Sequence, residues 1–466
     1  MQPTQETTQD LIFFNQETTN DTLSINLIQL LMQSWEPETF SKLVCWELFW
    51  HLFISRNESL LVELHEQYQI GLNHVFDKLS NTPEIDPQCD QVQFFLSNCL
   101  SKLPFFSKLE QPIYYPQYIE GKWVQVTYNI VPIELTATSG FEKLFISDND
   151  RVYAYGLEPE GKFSTAERHL LFLGTTYPTG QGFITQINTD LEAFETAGNK
   201  IYKSGLQRIL DWIELKPGNK PHVHGLSLGG ALSLMLAIEH GDKLSRVDAL
   251  NPPGLYNYTF NNHNDKWDEL KSKPPVYIQK QGNDPVSAFG VWKEDFKVYQ
   301  ILPTVKPTYG LGDHNGCYVG SKSTRIIPVN PITDNQERTW RNRCIYVGFR
   351  AFISYIFVLP VHYFIRPAIL YIWNYKIQLA LISLLVAAAV LFPPVPLIAC
   401  GALLGLAALI AAYCLIESIF KAIALYQGNV TPPRHPESPY RPHSIDLLRE
   451  NSCLVQPDTA ILVSSN

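Results

Sequence analysis

Three patterns of hydrophobic and polar positions follow one another along this chain. Apolar residues recur at helical spacing from Ile25 to about Leu79, as in "FSKLVCWELFWHLF". From about residue 122, short apolar runs typical of strands alternate with segments that have a helical period. Between Ile377 and Ile416 there is no charged residue. These patterns predict, in order, a helical region, a mixed α/β region and a membrane-inserted region.

The middle region is predicted to be an α/β domain. Its strand-like runs are "KWVQVTYNIV", "EKLFIS", "RVYAYGL", "HLLFLG", "KPHVH", "SRVDAL" and "PVYIQK". Helical segments stand between them, including "LGGALSLMLAIEH", "DKWDELKS" and a longer one that begins with a cap at Asn188 or Asp190. Strands that alternate with helices favour a mainly parallel sheet with helices on both faces.

The C-terminal apolar segment is too long for a single bilayer crossing. "FPPVP" interrupts it near its middle, so the sequence predicts a hairpin of two membrane helices over 377–416. The second arm, Leu397–Ile416, is long enough to span a bilayer, and the first arm is shorter. Gly401 and Gly405 form a GxxxG pattern, which predicts close packing between the arms.

The segment before the hairpin is basic and aromatic. Six Lys or Arg residues and no acidic residue lie between Arg338 and Lys376. Such a segment is typical of an interfacial helix or of an imperfect additional span, and it favours anionic lipid on the cytosolic side. We therefore expect a membrane-associated protein whose α/β domain faces the cytosol.

The remaining segments complete the predicted organisation. The Pro-punctuated, aromatic stretch 81–120 is interpreted as irregular packing, and both ends of the chain are polar or Pro-rich. The predicted units are a disordered N-terminus (1–20), a helical cap or partner-binding region (21–120), an α/β domain (121–330), membrane-associated helices (338–424) and a disordered tail (428–466).

Composition narrows the classes of function. The 466 residues carry a formal net charge of −9, which argues against nucleic-acid binding, because phosphate contacts draw on Lys and Arg. The eight cysteines form no CxxC pair, which favours free thiols in a reducing compartment over a disulfide framework. The polar start, "MQPTQETTQD", does not predict a signal peptide.

The stretch "HVHGLSLGGALS" places Ser227 between a predicted strand and a predicted helix. Gly225, Ser227 and Gly229 form G-x-S-x-G, the pattern of a nucleophile held on a sharp strand-to-helix turn. Glycine suits the flanking positions because side chains there would collide with the turn. The open start of the helix would let the Leu228 amide face an oxyanion.

A serine nucleophile needs a base and an orienting acid at neutral pH. Asp284 follows the predicted strand "PVYIQ", and His314 lies in a Gly-flanked loop after "KVYQILP". The order Ser227, Asp284, His314 is that of α/β-hydrolases, and all three would lie at the carboxyl edge of the sheet. Asp248, at a strand end, and Asp313, next to the histidine, are alternative acids.

Five motifs occur in order over about residues 143–325. They are the strand "LLFLGTT", the elbow "VHGLSLGGALS", the turn "VDALNPPG" and the loops "NDPVS" and "DHNGCY". Together they resemble the motifs of the class 3 (fungal-type) triacylglycerol lipases. The resemblance implies an α/β-hydrolase fold and a triad of Ser227, Asp284 and His314. It also implies an oxyanion hole formed by Thr175 and the Leu228 amide.

The chain departs from that family at two positions. Leu226 stands where the family has a histidine before the serine, and Leu173 replaces the arginine of the oxyanion strand. Both changes leave the substrate preference open. The segment "TYPTGQGFITQI" after Thr175 is either a lid over an acyl cleft or an ordinary surface loop.

His222 and His224 would share one strand face, which suggests a metal site. No third ligand is apparent in the sequence, so ordinary strand side chains are favoured. We therefore predict neither a metal nor an organic cofactor.

The sequence as a whole predicts a membrane-anchored serine hydrolase that cleaves acyl esters of phospholipids or acylglycerols. Its expected partners are that substrate, the membrane through 338–376 and 377–416, and a protein bound by the N-terminal region. The alternative is a decayed hydrolase fold that serves as a membrane-docked binding or scaffold protein. A cytosol-facing lipase with a membrane hairpin also resembles effectors that intracellular bacteria inject into host cells, although no residue motif carries that resemblance.

Overall fold

A computed structural model describes most of the chain between residues 69 and 426. The described ranges are 69–106, 112–136, 151–172, 195–256, 262–303, 311–314, 318–320, 324–341, 347–358, 375–391 and 397–426. The first range has short gaps before residue 86, and a few isolated positions outside these ranges are also described. The predicted disordered ends, the strand "EKLFIS" and most of the N-terminal helical pattern lie outside the described residues.

A nine-stranded sheet lies at the centre of the described residues, and its strands follow one another in chain order. The strands are β1 (Ile113–Ile119), β2 (Lys122–Glu134), β3 (Tyr153–Pro159), β4 (His169–Phe172), β5 (His222–Leu226), β6 (Arg246–Leu250), β7 (Val276–Gln281), β8 (Lys297–Pro303) and β9 (Thr324–Val329). The central strands β4 to β8 are parallel, and the outer pairs are antiparallel. The parallel centre confirms the predicted α/β class.

Helices lie on both faces of this sheet. The α-helices of the described residues are, in chain order, α1 (Asp90–Phe106), α2 (Asn199–Glu214), α3 (Leu228–His240), α4 (Asn262–Glu269), α5 (Leu311–His314), α6 (Pro331–Arg341), α7 (Arg350–Ile353), α8 (Lys376–Leu391) and α9 (Leu397–Tyr426). The neighbouring residues Leu170 and Leu171 of β4 belong to different apolar clusters, because successive strand side chains point to opposite faces. Phe94 of α1 packs in one cluster, and Trp212 of α2 packs in the other.

The stretch 81–120 is regular, so the prediction of irregular packing was wrong. It contains α1 and β1, and β1 pairs with β2 as part of the central sheet. Pro116 is tolerated because β1 pairs only with β2 among the described strands, and an edge strand does not need every N–H. The sheet therefore begins before residue 121, and the division into domains stays a prediction.

The helical segment predicted before β5 is interrupted. Asp190, one of the two predicted caps, is helical, and Asn188 lies outside the described residues, but residues 195–198 are not helical and α2 begins at Asn199. Gly198 precedes it with φ +81°, a left-handed conformation that favours glycine. A Cβ at Gly198 would lie 2.8 Å from side-chain atoms of Leu228 and Leu232, so α2 approaches α3 closely here.

The C-terminal helices α8 and α9 pack against each other, and the turn between them lies outside the described residues. Within α9, the 20 residues Gly401–Phe420 are long and apolar enough to cross a bilayer, and only 11% of this stretch is buried within the protein. This helix indicates membrane association. The described residues show no close packing between the arms at the GxxxG pattern: no described atom lies within 4 Å of a Cβ built at Gly401 or Gly405.

The apolar helical stretch Val347–Ile356 is too short to cross a bilayer. It exposes Phe352 and Tyr355 but buries Arg350, whose guanidinium donates hydrogen bonds to the backbone carbonyls of Asp190 (2.7 Å) and Glu195 (3.1 Å). These bonds fix the stretch against the segment that precedes α2. Its length and its exposed aromatic side chains favour an interfacial helix over an additional span.

Candidate functional site

Ser227 occupies a strained turn between β5 and α3. Its backbone angles are φ +55° and ψ −121°, a conformation that L-residues other than Asn and Asp rarely adopt. The Ser227 amide donates to the carbonyl of Leu250 at 2.9 Å, which ties the turn to β6. A Cβ at Gly225 would lie 2.2 Å from the carbonyl oxygen of Gly229. This contact gives the physical reason for the glycines on both sides of the serine.

His314 lies between Ser227 and Asp284. Its Nε2 is 2.7 Å from the serine Oγ, and its Nδ1 is 2.9 Å from Asp284 Oδ1. An ionised carboxylate only accepts hydrogen bonds, so Nδ1 carries the proton and Nε2 is left to accept from the serine hydroxyl. The structure thus brings together the three residues that the sequence singled out, and their catalytic role stays a prediction.

The carboxylate of Asp284 is buried and held by the backbone of its own loop. Its Oδ1 accepts from the amide of Val286 and its Oδ2 from the amide of Ser287, both at 2.9 Å. These bonds fix the carboxylate in the orientation that the His314 ring meets.

Asn251 connects the end of β6 to the histidine loop. Its side-chain amide donates to the backbone carbonyls of Asp313 (3.1 Å) and His314 (2.6 Å), and its Oδ1 accepts from the amide of Gln281 at 2.7 Å. It is fully buried and has φ +46°, which Asn tolerates better than most residues. Sequence reasoning missed Asn251, although its place directly after a strand, in "VDALNPPG", was a usable signal.

Asp313, one of the alternative acids, has a structural position. Its Oδ2 accepts from the amide of Asn283 (2.7 Å), and its Oδ1 accepts from the hydroxyl of Tyr318 (2.5 Å). A Cβ at Gly282, which has φ +49°, would lie 2.6 Å from this carboxylate. Asp313 therefore joins the acid loop to the histidine loop and leaves the contact with the His314 ring to Asp284.

Asp248, the other alternative acid, lies away from Ser227. Its Oδ2 is 2.6 Å from Nε2 of His222 at the amino end of β5, and Arg246 donates to both of its oxygens at 2.9 and 3.0 Å. Burial alone would raise the pKa of Asp248, but Arg246 and His222 outweigh it and lower the pKa. The carboxylate is thus committed to the amino end of the sheet.

The predicted oxyanion hole is described only in part. Leu228 begins α3, and the first amides of a helix have no partner within that helix, so its N–H is suited to an oxyanion. Thr175 lies outside the described residues, as does Leu173, while Gly174 between them is buried. Leu226, at the position before the serine, is buried in β5.

A search with protein-family models gives no match for this chain, and a search among curated proteins finds no significant relative. The lipase resemblance therefore rests on the five motifs of the chain itself.

Proposed function

We propose that this protein is a membrane-associated serine hydrolase of lipase type that cleaves acyl esters of lipids. The observation that carries the proposal is the continuous chain of contacts from Ser227 Oγ through His314 to Asp284, built on a strained strand-to-helix turn. A serine, a base and an orienting acid in this arrangement recur in acyl-transfer enzymes on unrelated folds. The order of the three residues along the chain is that of α/β-hydrolases.

The mechanism follows from the proton positions in the site. His314 Nε2 accepts the Ser227 proton as Oγ attacks the ester carbonyl, and Asp284 stabilises the imidazolium that forms. The Leu228 amide and Thr175 donate to the oxyanion of the tetrahedral intermediate. As the intermediate collapses, His314 protonates the leaving alcohol and an acyl-serine remains. Water, deprotonated by the same nitrogen, then releases the fatty acid and restores Ser227.

The C-terminal helices support a lipid as the substrate. Gly401–Phe420 is long enough to insert into a bilayer, and Arg350 joins the short apolar helix to the backbone of the α/β part of the chain. Both features would hold the catalytic serine close to acyl chains, at a high effective concentration of substrate. The basic segment 338–376 would face anionic lipid on the cytosolic side.

Hydrolysis of vesicle lipids by the full-length protein tests this proposal. Vesicles that contain phospholipid and diacylglycerol are incubated with the wild type, Ser227→Ala and Ser233→Ala, and released fatty acid is measured by mass spectrometry. Ser233 is the matched control, because it lies in α3 and its hydroxyl bonds to the carbonyl of Gly230. We expect Ser227→Ala to lose at least about a thousandfold in rate and Ser233→Ala to keep its activity.

Equal fatty-acid release by the wild type and Ser227→Ala would contradict the enzyme proposal and favour the scaffold alternative. Membrane association is tested separately by flotation of the full-length chain with vesicles. We expect the protein to float, and its recovery in the soluble fraction without detergent would contradict the anchor.

A further inference from the structure

Three histidines form a buried cluster at the amino end of the parallel strands, away from Ser227. His169 of β4 pairs directly with His222 of β5, and His224 lies two residues further along β5 on the same face. All three are buried, and one ring nitrogen from each lies within 4.8 Å of the others. His169 is the third imidazole that was not apparent in the sequence, because it lies 53 residues before His222.

The closest ring nitrogens have the spacing of metal ligands. His169 Nδ1 lies 3.0 Å from His224 Nε2. In a tetrahedral zinc site with bonds of 2.0–2.1 Å, ligand atoms lie about 3.3 Å apart. The rings of His222 and His224 have centroids 3.9 Å apart and are tilted by 33° to each other, so binding requires the His222 side chain to turn toward the other two.

Each histidine has a polar partner on its other ring nitrogen. Two oxygens are placed to accept from these rings: Ser97 Oγ lies 2.8 Å from His224 Nδ1, and Asp248 Oδ2 lies 2.6 Å from His222 Nε2. Gln117 Nε2, a donor, lies 2.7 Å from His169 Nε2, so its amide has to turn over and present Oε1 when His169 Nδ1 binds a metal. Metal-bound histidines almost always have such a partner, which fixes the ring and its tautomer. The nitrogens left for a common ligand are Nδ1 of His169, Nε2 of His224 and Nδ1 of His222.

The charges around the cluster suit a cation. Glu167 Oε2 lies 3.4 Å from His222 Nδ1, and Asp248 faces the other nitrogen of the same ring.

We propose that His169, His222 and His224 bind a divalent transition metal, preferentially Zn²⁺, with Glu167 as the fourth ligand. Three imidazoles and one carboxylate are a ligand set that zinc accepts in tetrahedral geometry. The metal lies at Nδ1 of His222, on the side of the ring that faces Glu167. It has a structural role, because its ligands are supported by Ser97 of α1 and Gln117 of β1 and so connect both elements to the sheet.

Metal content and a cobalt spectrum test the site on the full-length protein in detergent. Zinc per chain is measured by mass spectrometry after gel filtration for the wild type, His169→Gln and His240→Gln. His240 is the matched control, because it is a half-buried histidine at the end of α3 outside the cluster. We expect about one zinc per chain in the wild type and the control, and less than about a tenth of that in His169→Gln.

A second measurement keeps the test decisive if His169→Gln does not fold. The wild type is stripped with a chelator and titrated with Co²⁺, which gives intense visible absorption in a tetrahedral site and is displaced by Zn²⁺.

We also expect Ser97→Ala to weaken zinc binding about 10–100-fold, whereas Ser101→Ala, one turn along α1, leaves it unchanged.

A folded wild type without this absorption, or a folded His169→Gln with a full equivalent of zinc, overturns the site. The three rings would then form a metal-free hydrogen-bonded chain. The proposal does not depend on the hydrolase function, because it is read from metal content alone.

Discussion

Serine, histidine and aspartate side chains meet at both ends of strand β5, but the two groups differ in how far they are buried. At the carboxyl end, Ser227 is half-buried on a strained turn and its hydroxyl meets the His314 ring. At the amino end, His222 and His224 are buried, and Ser97 of α1 meets the second ring. Ser227 keeps part of its surface exposed, whereas Ser97 of α1 and Gln117 of β1 contact the buried rings at the amino end. A histidine can thus have serine and acid partners in both surroundings, and the exposure of the serine distinguishes the two sites.

The acids at the two ends differ in the same way. Asp284 accepts from two backbone amides and from the one histidine that contacts Ser227. Asp248 accepts from His222 and from Nε and Nη2 of Arg246, so the positive guanidinium balances its negative charge within the core. Asp284 is thus arranged to orient a ring, and Asp248 is arranged to balance charge.

The largest expected effect belongs to the carboxyl end. Asp284→Asn replaces an acceptor by an amide that can donate to His314 Nδ1, so Nε2 becomes protonated and cannot accept from Ser227. We expect ester hydrolysis to fall by about 10⁴-fold, or roughly 5.5 kcal/mol in activation free energy. The free energy of unfolding should fall by about 1–3 kcal/mol, because the new NH2 group faces a backbone N–H. Turnover is measured with a soluble short-chain ester. The control is Asp268→Asn, because Asp268 is exposed. A loss below about tenfold would contradict the triad.

The next effect belongs to the amino end and should change stability without changing turnover. Arg168 is fully buried just before β4, donates to Glu158 at 2.9 and 2.6 Å, and lies over the Trp212 ring. Arg168→Met leaves Glu158 with Lys216 alone and removes the donors to three backbone carbonyls, those of Trp212, Ile213 and Asn219. We expect the free energy of unfolding to fall by about 3 kcal/mol, measured by denaturant titration.

The hydrolysis rate per folded molecule of Arg168→Met should stay within about twofold of the wild type. A large loss of turnover in the folded variant would show that the two ends of the sheet are coupled, and would weaken the comparison.

The smallest effect concerns the connection of the histidine loop to β6. Asn251→Gly keeps the positive φ accessible but removes the donor to the carbonyls of Asp313 and His314. We expect the free energy of unfolding to fall by about 1–3 kcal/mol and kcat to fall by about 10–100-fold, because the base is less well positioned. Unfolding and turnover are measured on the same preparation. Unchanged kcat would show that Asp313 and Tyr318 hold the loop without Asn251.

Much of the α/β part could be predicted from local sequence. Strands β5, β6 and β7 and helix α3 were predicted from the alternation of short strand-like runs with helical segments, and nearly all of their residues are buried. The contacts of His314 with Ser227 and with Asp284 could be expected from the order of the motifs, since the carboxyl ends of parallel strands lie along one edge of the sheet.

The remaining features depend on contacts between distant residues. The regularity of α1 and β1 was not predictable from their prolines, because only pairing with β2 shows that β1 is an edge strand. His169 joins His222 only through the register of β4 and β5. The space beside Gly401 and Gly405 depends on how α8 and α9 meet, which a GxxxG pattern does not specify.

Labelling with a fluorophosphonate probe tests most directly whether the carboxyl end of β5 carries the chemistry. The full-length protein in detergent is treated with the probe, and the adduct is counted by intact mass and located by peptide mapping. We predict one adduct on Ser227 in the wild type and in His169→Gln, and none in Ser227→Ala or His314→Ala. A folded wild type that takes no label, or a Ser227→Ala variant that is labelled equally, would contradict the account.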